Sequence, residues 1–261
     1  MNFNLRDILQ KKEEPIGSRL SDEQLEKYVA DNIRWLGHAS IQVTDHERTL
    51  YFDPFGLDHK EKPADVILVS HNHFDHASSE DIGKLVKEGT VVIGDEATKR
   101  KLDRYIIDSA DYVLIKSGRN VAVSGIEVRA VDAYNPCKEE HPKGEGIGFV
   151  VNMSGVVLYY AGDTDFIPEM KRLRGIDVAF YPVGGGATMD VREAAQAVNA
   201  MKPRIAIPMH YGSQFTDSQG DFEIGRLEDG LKFEKLVESQ SSTKVLVLQR
   251  NRASNRYMAP F

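Results

Sequence analysis

The feature that most constrains this chain is the stretch from Ser70 to His76, where three histidines and one aspartate fall within six positions. It directly follows Asp65 to Val69, an apolar run rich in β-branched residues that predicts a buried strand. A strand that ends in a loop of imidazole and carboxylate groups is typical of a metal site, because the strand fixes what the loop presents. Such nitrogen and oxygen ligands suit zinc, manganese or iron.

Within this motif, side chains alternate along an extended or turning backbone. We therefore expect His71, His73 and Asp75 to converge, with His76 turned towards a second point nearby. A lone histidine is more often a surface residue or a hydrogen-bonded partner than a ligand. Three histidines and an aspartate this close together fit neither role, and an apolar core would not hold them unpaired.

Three further candidate ligands lie at the ends of predicted strands. Asp163 and His210 each come just past an apolar run, and His141 lies in the polar loop from Asn135 to Glu145. Each is weak evidence alone, because a strand-end aspartate is often a turn former and a strand-end histidine is more often hydrogen-bonded. Their value depends on whether the fold brings them to the motif.

Composition limits the class of protein. The 261 residues are 41% hydrophobic and 28% charged, enough for a substantial core. The net charge of −7 and the short basic clusters argue against a nucleic-acid partner. The single cysteine, Cys137, excludes an intrachain disulfide and fits a reducing compartment. Residues 1–15 lack the apolar region of a signal peptide, and no run approaches the ~20 apolar residues of a membrane span. We expect a cytoplasmic protein without a membrane partner. Composition leaves open whether the protein forms a homo-oligomer.

Apolar periodicity predicts strands and helices along the whole chain. Ser21 to Gln24 forms a capping box for a helix to about Ala30, and Asp190 to Glu193 resembles one for a helix to about Met201. The other predicted helices cover 79–87, 96–102 and 233–238. The predicted strands cover 33–36, 40–44, 49–52, 65–69, 91–93, 113–115, 121–123, 126–131, 148–152, 156–160, 178–181, 204–207 and 244–248. This order favours an α/β architecture of two packed sheets with helices outside.

Together these features resemble the metallo-β-lactamase superfamily of hydrolases. Seven side chains match its ligand motifs in order: His71, His73, Asp75, His76, His141, Asp163 and His210. Within it, the chain looks like the branch that contains ascorbate-6-phosphate lactonase, on the basis of residues 35–40, 141–144, 161–164, 182–185, 188–189 and 208–211. The resemblance covers about residues 32–248, with the N-terminal segment and the region 220–230 outside it. It implies a four-layer αββα sandwich of two mixed sheets, with residues 1–261 as one domain and 1–31 as an N-terminal extension whose helix packs on it.

The resemblance also implies two divalent metal ions, with zinc or manganese ahead of iron. The ligand sets it implies are His71, His73 and His141 for a first ion, Asp75, His76 and His210 for a second, and Asp163 as a bridge. Cys137 is the alternative to His141 in the same loop, whereas His46 and His59 lie in polar segments and are expected to be exposed. The implied chemistry is attack by a metal-bridging hydroxide that Asp75 and Asp163, as catalytic residues, orient.

Five further residues are candidates for a supporting role. Asp53 ends a strand and is either the carboxylate that holds a ligand imidazole or a turn residue. His38 lies either at the mouth of the site or in a bond to a neighbouring loop. Lys143 and Tyr211 flank proposed ligands and are candidate substrate contacts. Gly185 belongs to a glycine run that either binds an anion ahead of a helix or makes a tight turn.

We therefore expect a metal-dependent hydrolase, of lactonase, esterase or phosphodiesterase type, acting on a small anionic substrate. One alternative is an RNA-processing nuclease of the same fold, weakened by the acidic charge and by the absence of a recognisable RNA-binding arm. Another is a non-hydrolytic metal-binding or di-iron redox protein. Flavin-coupled members of the superfamily usually carry glutamate where His73 stands, together with a flavodoxin-like domain for which there is no room. Asp163 occupies the position where a true β-lactamase would have cysteine.

Overall fold

The computed structural model describes residues 19–57, 61–102, 104–217 and 220–250. The segment 1–15 and His59, on which two expectations depended, lie outside the described residues.

The first sheet has six strands in sequential order. It contains β1 (Ile33–Gly37), β2 (Ser40–Asp45), β3 (Arg48–Phe52), β4 (Val66–Leu68), β5 (Val91–Gly94) and β6 (Asp111–Leu114). The first three strands form antiparallel hairpins, and β3 to β6 run parallel. Phe52 lies opposite Leu68, and Leu68 opposite Ile93. The carboxyl ends of these strands therefore lie at one edge, which brings the chain after β3 beside the chain after β4.

The second sheet is also mixed. In chain order, the remaining strands are β7 (Asn120–Val123), β8 (Ile126–Asp132), β9 (Ile147–Met153), β10 (Val156–Tyr160), β11 (Val178–Pro182), β12 (Ile205–Met209), β13 (Ser213–Asp217), β14 (Gly220–Ile224) and β15 (Lys244–Val245). The sheet order is β15-β12-β11-β10-β9-β8-β7, while β13 and β14 form a separate hairpin. Strands β7 to β10 are antiparallel, and β10, β11, β12 and β15 are parallel.

The helices are α1 (Asp22–Asn32), α2 (Ser79–Leu85), α3 (Glu96–Lys101), α4 (Arg104–Ser109), a 3-10 helix (Pro168–Arg172), α5 (Val191–Met201) and α6 (Asp229–Glu238). The capping box at Ser21 is confirmed, because its hydroxyl and the side chain of Gln24 each accept the other residue's backbone N–H. At Asp190 only half of the box forms, since Glu193 accepts from the backbone of Phe166 instead. None of the helices within the described ranges is long and apolar enough to cross a membrane.

Alternating side chains sort the first sheet into two cores. Val66 and Leu68 on β4 enter the core between the sheets, whereas Ile67 packs outward with Leu85 and Ile106 of the neighbouring helices. A strand with apolar contacts on both faces needs apolar residues at successive positions, which explains the continuous run seen in the sequence.

The second sheet is covered in the same way. The Tyr181 ring of β11 meets Phe233 of α6 at 6.4 Å, and its hydroxyl donates to the sulfur of Met201 in α5 at 3.2 Å. Between the sheets, Phe52 stacks on Tyr160 at 4.7 Å. The result is the expected four-layer αββα sandwich. Helix α1 adds the buried side chains of Leu25 and Val29 to the inner core.

Most predicted elements are confirmed, with ends that differ by a residue or two. The helix α4, the 3-10 helix and the hairpin of β13 and β14 were not predicted, because such short segments show little periodicity. The strand expected over 244–248 is only two residues long. Its ladder ends where Leu246 donates to Ala206, because Pro208 on the neighbouring strand has no N–H with which to continue it.

Candidate metal centre

The candidate ligands gather where strands of both sheets end. Asp53 follows β3, the histidine motif follows β4, Asp163 follows β10 and His210 follows β12. A short turn after β1 carries His38, whose backbone oxygen accepts from the N–H of His210 at 2.8 Å. That bond joins the corresponding edges of the two sheets, so groups that are far apart in sequence face one another.

The first cluster consists of His71, His73 and His141, whose ligand atoms lie within 4.8 Å of one another. Nδ1 of His73 is 3.2 Å from Nε2 of His141. On the other side of its ring, Nδ1 of His141 lies 3.0 Å from the carbonyl of Ala187 and 2.9 Å from Oδ1 of Asn135. A carbonyl can only accept, so Nδ1 of His141 carries the hydrogen and Nε2 presents a lone pair to the cluster.

The second cluster consists of His38, Asp75, His76 and His210, again with ligand atoms within 4.8 Å. All four side chains are buried. Nδ1 of His76 lies 2.7 Å from Oδ2 of Asp53, which leaves its Nε2 directed at the cluster. Nε2 of His38 lies 3.0 Å from Oδ2 of Asp75.

Asp163 lies between the clusters. Its Oδ2 approaches the Nε2 atoms of four histidines, at 3.0 Å for His210, 3.4 Å for His76, 3.5 Å for His141 and 3.9 Å for His71. One carboxylate therefore reaches members of both clusters.

Several of these atoms are buried without a hydrogen-bond partner among the described residues. They are Nε2 of His71, His76 and His210, and Oδ1 of Asp163. Buried polar atoms almost always have partners, so a group of lone pairs directed at one region needs an explanation. A cation satisfies all of them, and imidazole nitrogen with carboxylate oxygen is a ligand set for a divalent transition metal. The residues therefore fit a metal centre.

Electrostatics differ between the clusters. Burial lowers the pKa of all three histidines in the first cluster, which keeps them in the neutral, metal-binding form. Burial also acts to lower the pKa of His76, but the carboxylates of Asp163, Asp75 and Asp53 outweigh it and raise that pKa well above the usual value. Burial and the nearby His210 lower the pKa of His38 to about 4.

Both aspartates of the centre are ionised. Burial acts to raise their pKa values, but neighbouring imidazoles reverse the effect. His76 and His38 hold the pKa of Asp75 well below its usual range, and His210 and His76 do the same for Asp163.

The comparisons with known proteins agree with this geometry. The family model described as the Beta-lactamase superfamily domain matches residues 32–210. A UPF0173 metal-dependent hydrolase of Staphylothermus marinus is 32% identical over 239 residues, covering 83% of this chain and 95% of that protein. The chain belongs to the metallo-β-lactamase superfamily of metal-dependent hydrolases.

Two solved structures are similar to this superfamily member. A protein of Parabacteroides distasonis described as a metal-dependent hydrolase has a TM-score of 0.67 and 32% identity, covering 83% of this chain and 93% of that one. Igni18, a metallo hydrolase of Ignicoccus hospitalis, has a TM-score of 0.66 over 84% of this chain and 95% of its own. At 22% identity, the second likeness shows the fold alone.

In this hydrolase, one expectation from the motif is wrong. His71, His73 and Asp75 do not share a side, because the backbone turns after His73. The N–H groups of His76 and Ala77 both donate to the carbonyl of His73, at 3.1 and 2.8 Å. The turn leaves the first two histidines in the first cluster and sends Asp75 and His76 to the second.

Asp53 has the contacts that a ligand-holding carboxylate needs. Besides His76, it accepts from the backbone N–H of Ser70 at 2.7 Å, from the hydroxyl of Ser70 at 2.5 Å and from the hydroxyl of Tyr160 at 2.7 Å. Neither Ser70 nor Tyr160 was singled out from the sequence, and neither was Asn135. Ser70 could have been found from its position beside His71 at a strand end. For Tyr160 and Asn135 the sequence carries no signal.

Two candidate substrate contacts are engaged elsewhere. The Lys143 ammonium donates to Glu169 at 2.8 Å and lies 4.6 Å from the ring centre of Tyr134. Tyr211 is buried, and its ring stacks on Trp35 at 5.0 Å. The structure therefore gives both side chains partners within the protein, and their contact with a substrate stays a prediction.

The glycine run forms a tight turn, which was one of the two alternatives for Gly185, while the anion-binding alternative stays a prediction. The N–H of Gly185 donates to the carbonyl of Met189 at 3.0 Å. A β-carbon at Gly184 would lie 2.3 Å from the carbonyl of His210, which explains why that position has no side chain. The first N–H groups of the next helix are already capped by Asp190.

Two side chains of the chain's polar segments, Cys137 and His46, are exposed. Cys137 lies outside the clusters, whereas His141, the alternative ligand from the same loop, is buried in the first cluster. The side chain of His46 is 78% exposed, as expected.

Proposed function

We propose that this protein is a binuclear metal-dependent hydrolase. The first cluster would hold one ion, and Asp75, His76 and His210 the other, with Asp163 as the bridge. The observation that carries the proposal is the central carboxylate of Asp163, which lies near buried Nε2 atoms of His71, His76 and His210 that lack hydrogen-bond partners among the described residues. Zinc or manganese suits this mixture of nitrogen and oxygen ligands better than calcium or magnesium, which prefer oxygen.

When bound, two such ions activate a water molecule and stabilise negative charge on the group under attack. The residues of the chain supply the rest. Asp75 and Asp163 are carboxylates at neutral pH, so either can orient a water molecule and accept its proton. Oδ2 of Asp75 already accepts from His38, and we propose that the other oxygen takes this role. The buried histidines exclude bulk water from one side of the centre, and the exposed ring of His73 leaves the other side open.

We propose a small anionic ester, lactone or phosphodiester as the substrate. A pair of divalent ions attracts an anionic group, while a net charge of −7 disfavours a polyanion such as RNA. We also propose that the whole chain acts as one domain. In support, side chains of α1 and of both sheets share the core between the sheets.

Metal content tests the binuclear proposal. Protein purified without added metal, then dialysed against Zn²⁺ or Mn²⁺, should contain two ions per chain by elemental analysis. Chelator treatment should remove both ions and the activity, and re-addition should restore them. A content that stays at one ion under excess metal would contradict the two-ion assignment.

An activity panel tests the substrate class. The metal-loaded protein should be assayed on phosphorylated and plain lactones, on bis-p-nitrophenyl phosphate with cyclic nucleotides, and on structured precursor RNA. We expect turnover on one of the small-molecule panels that is lost in Asp163→Ala. Metal-dependent cleavage of RNA alone would favour the nuclease.

A further inference from the structure

The turn that joins β1 to β2 is tied to the second sheet by its backbone. The carbonyl of His38 accepts from the indole N–H of Trp35 and from the N–H of His210, both at 2.8 Å. The next carbonyl, of Ala39, lies 3.0 Å from the hydroxyl oxygen of Tyr160, which donates its hydrogen to Asp53 at the shorter distance of 2.7 Å. His210 and Tyr160 belong to the opposite sheet, so the turn is fixed relative to both sides of the metal centre.

The backbone of this turn admits several residue types, histidine among them, and does not require a histidine. His38 has a φ of 51°, in the left-handed region that glycine and asparagine adopt most easily. A β-branched or bulky residue there is strained, and the strain persists only where surrounding contacts impose it. Because glycine, asparagine or aspartate would serve the turn as well, we look to the side chain for the reason that a histidine stands here.

The His38 side chain points into the second cluster. Its Nε2 lies 3.0 Å from Oδ2 of Asp75, and its ring centre is 4.1 Å from that of His210. The imidazole is 4% exposed, so solvent does not compete for the contact. An ionised carboxylate can only accept, so Nε2 carries the hydrogen and donates it to Asp75.

We propose that His38 is a positioning residue that fixes the carboxylate of Asp75 for the second metal ion. This inference rests on the proposed function, because it assumes that Asp75 is a ligand. It assigns His38 a role distinct from ligation, even though its ring nitrogens lie within reach of the cluster. The Nε2 atom that donates its hydrogen to Asp75 has no lone pair to offer a metal, so this contact makes His38 a residue that orients a ligand through Nε2.

Three variants separate the side chain from the turn. His38→Ala removes the donor. His38→Asn tolerates the left-handed backbone but is too short to reach Asp75. His38→Gln restores an N–H donor at about the reach of Nε2, and its amide is a poor metal ligand. The matched control is His46→Ala, because His46 also sits on a hairpin turn of the first sheet with a φ of 53° but is exposed.

Each metal-free protein should be titrated with Zn²⁺ against a chromophoric chelator, with thermal unfolding measured in parallel. We expect the affinity for the ion of the second cluster to fall about 10–100-fold in His38→Ala and in His38→Asn, the usual cost of losing a partner that orients a ligand. The affinity for the ion of the first cluster should be unchanged. His38→Gln should recover most of the loss, and His46→Ala should match the wild type.

The possible failures are distinguishable. If the wild type takes up fewer than two ions, the proposed function is contradicted and the role of His38 falls with it. If the wild type binds two ions and folded His38→Ala binds both as tightly, only the positioning role is overturned. If His38→Asn binds the ion of the second cluster with normal affinity, the residue serves the turn alone. An equal loss in folded His38→Gln and His38→Ala would show that His38 is a ligand and not a donor.

Discussion

The two clusters of the metal centre both contain histidines, but they differ in the groups that hydrogen-bond to those histidines and in their charge. In the first cluster, His141 is held by the neutral oxygens of Asn135 and Ala187, and the His73 ring is exposed. In the second cluster, His76 is held by the buried carboxylate of Asp53, and Asp75 is itself a member. The first cluster is the more open and neutral, and the second is enclosed and carries more negative charge.

Because of this difference, one short motif can supply ligands to two ions that bind with unequal affinity. A cation in the second cluster would face two buried carboxylates, Asp75 and Asp163, with Asp53 behind them. One in the first cluster would face three neutral imidazoles and share Asp163. We therefore expect the second-cluster ion to bind more tightly and the first-cluster ion to exchange more readily and to meet the substrate.

The largest effect should come from the residue that the clusters share. Asp163→Ala removes the carboxylate that offsets the repulsion between two dications, so one ion should be lost and turnover should fall about 10³-fold or more, given that metal-ion catalysis supplies several kcal/mol. Elemental analysis measures the metal content, and initial rates measure the turnover. The control is Asp190→Ala, which should cost about 1 kcal/mol of stability through a lost helix cap and leave the metals in place. Two ions and a normal rate in Asp163→Ala would remove this carboxylate from the bridge.

The next largest loss of metal and activity should be confined to the first cluster. His141→Ala deletes a first-cluster ligand, so the weaker ion should be lost while the second stays bound, and activity should fall by more than the ~100-fold typical of an outer partner. Cys137→Ala and His46→Ala should keep both ions, because these side chains are exposed. Metal titration of the three variants makes the test. Loss of metal in Cys137→Ala but not in His141→Ala would reverse the assignment.

A smaller loss of metal affinity should come from changing the residues that hydrogen-bond to the ligand histidines. Asp53→Asn replaces the carboxylate that holds His76 and should weaken the second ion about 10–100-fold. The comparison is Asn135→Ala, which should weaken the first ion less, because the carbonyl of Ala187 still holds His141. Equal losses in the two variants would contradict the asymmetry between the clusters. Thermal unfolding of the metal-free forms separates lost metal affinity from lost stability.

The smallest effect is a difference in protonation in the metal-free protein. His71 has a lowered pKa because it is buried, so it should stay neutral below pH 6.5. The carboxylates around His76 overcome its burial and raise its pKa, so it should stay protonated above pH 6.5. Ring-proton NMR of the chelated protein across pH 5–8 would measure the protonation of both histidines. His76 losing its proton at lower pH than His71 would be the contrary result.

The superfamily and most of the fold could be predicted from the sequence. The apolar runs report burial directly, and Ser21 with Gln24 reports a helix start, because both signals are local. The hairpin of β13 and β14 was missed, since it lacks a clear apolar alternation. The candidate site was predicted as a set of residues, but its division between two clusters followed from the resemblance and not from spacing along the chain.

The amino-acid sequence identifies the available groups: four within one motif, two just past apolar runs and one in a polar loop, all chemically suited to metal binding. Only the tertiary structure decided how they are grouped. The turn after His73 separates Asp75 from His71, and the contact between the sheets brings His38 to His210. Asp53 and Asn135 accept hydrogen bonds from Nδ1 of His76 and His141, which leaves the Nε2 atoms facing the centre, and His38 donates to the carboxylate of Asp75. These contacts join residues far apart in sequence, or depend on the direction of a turn, and neither property is encoded in local periodicity.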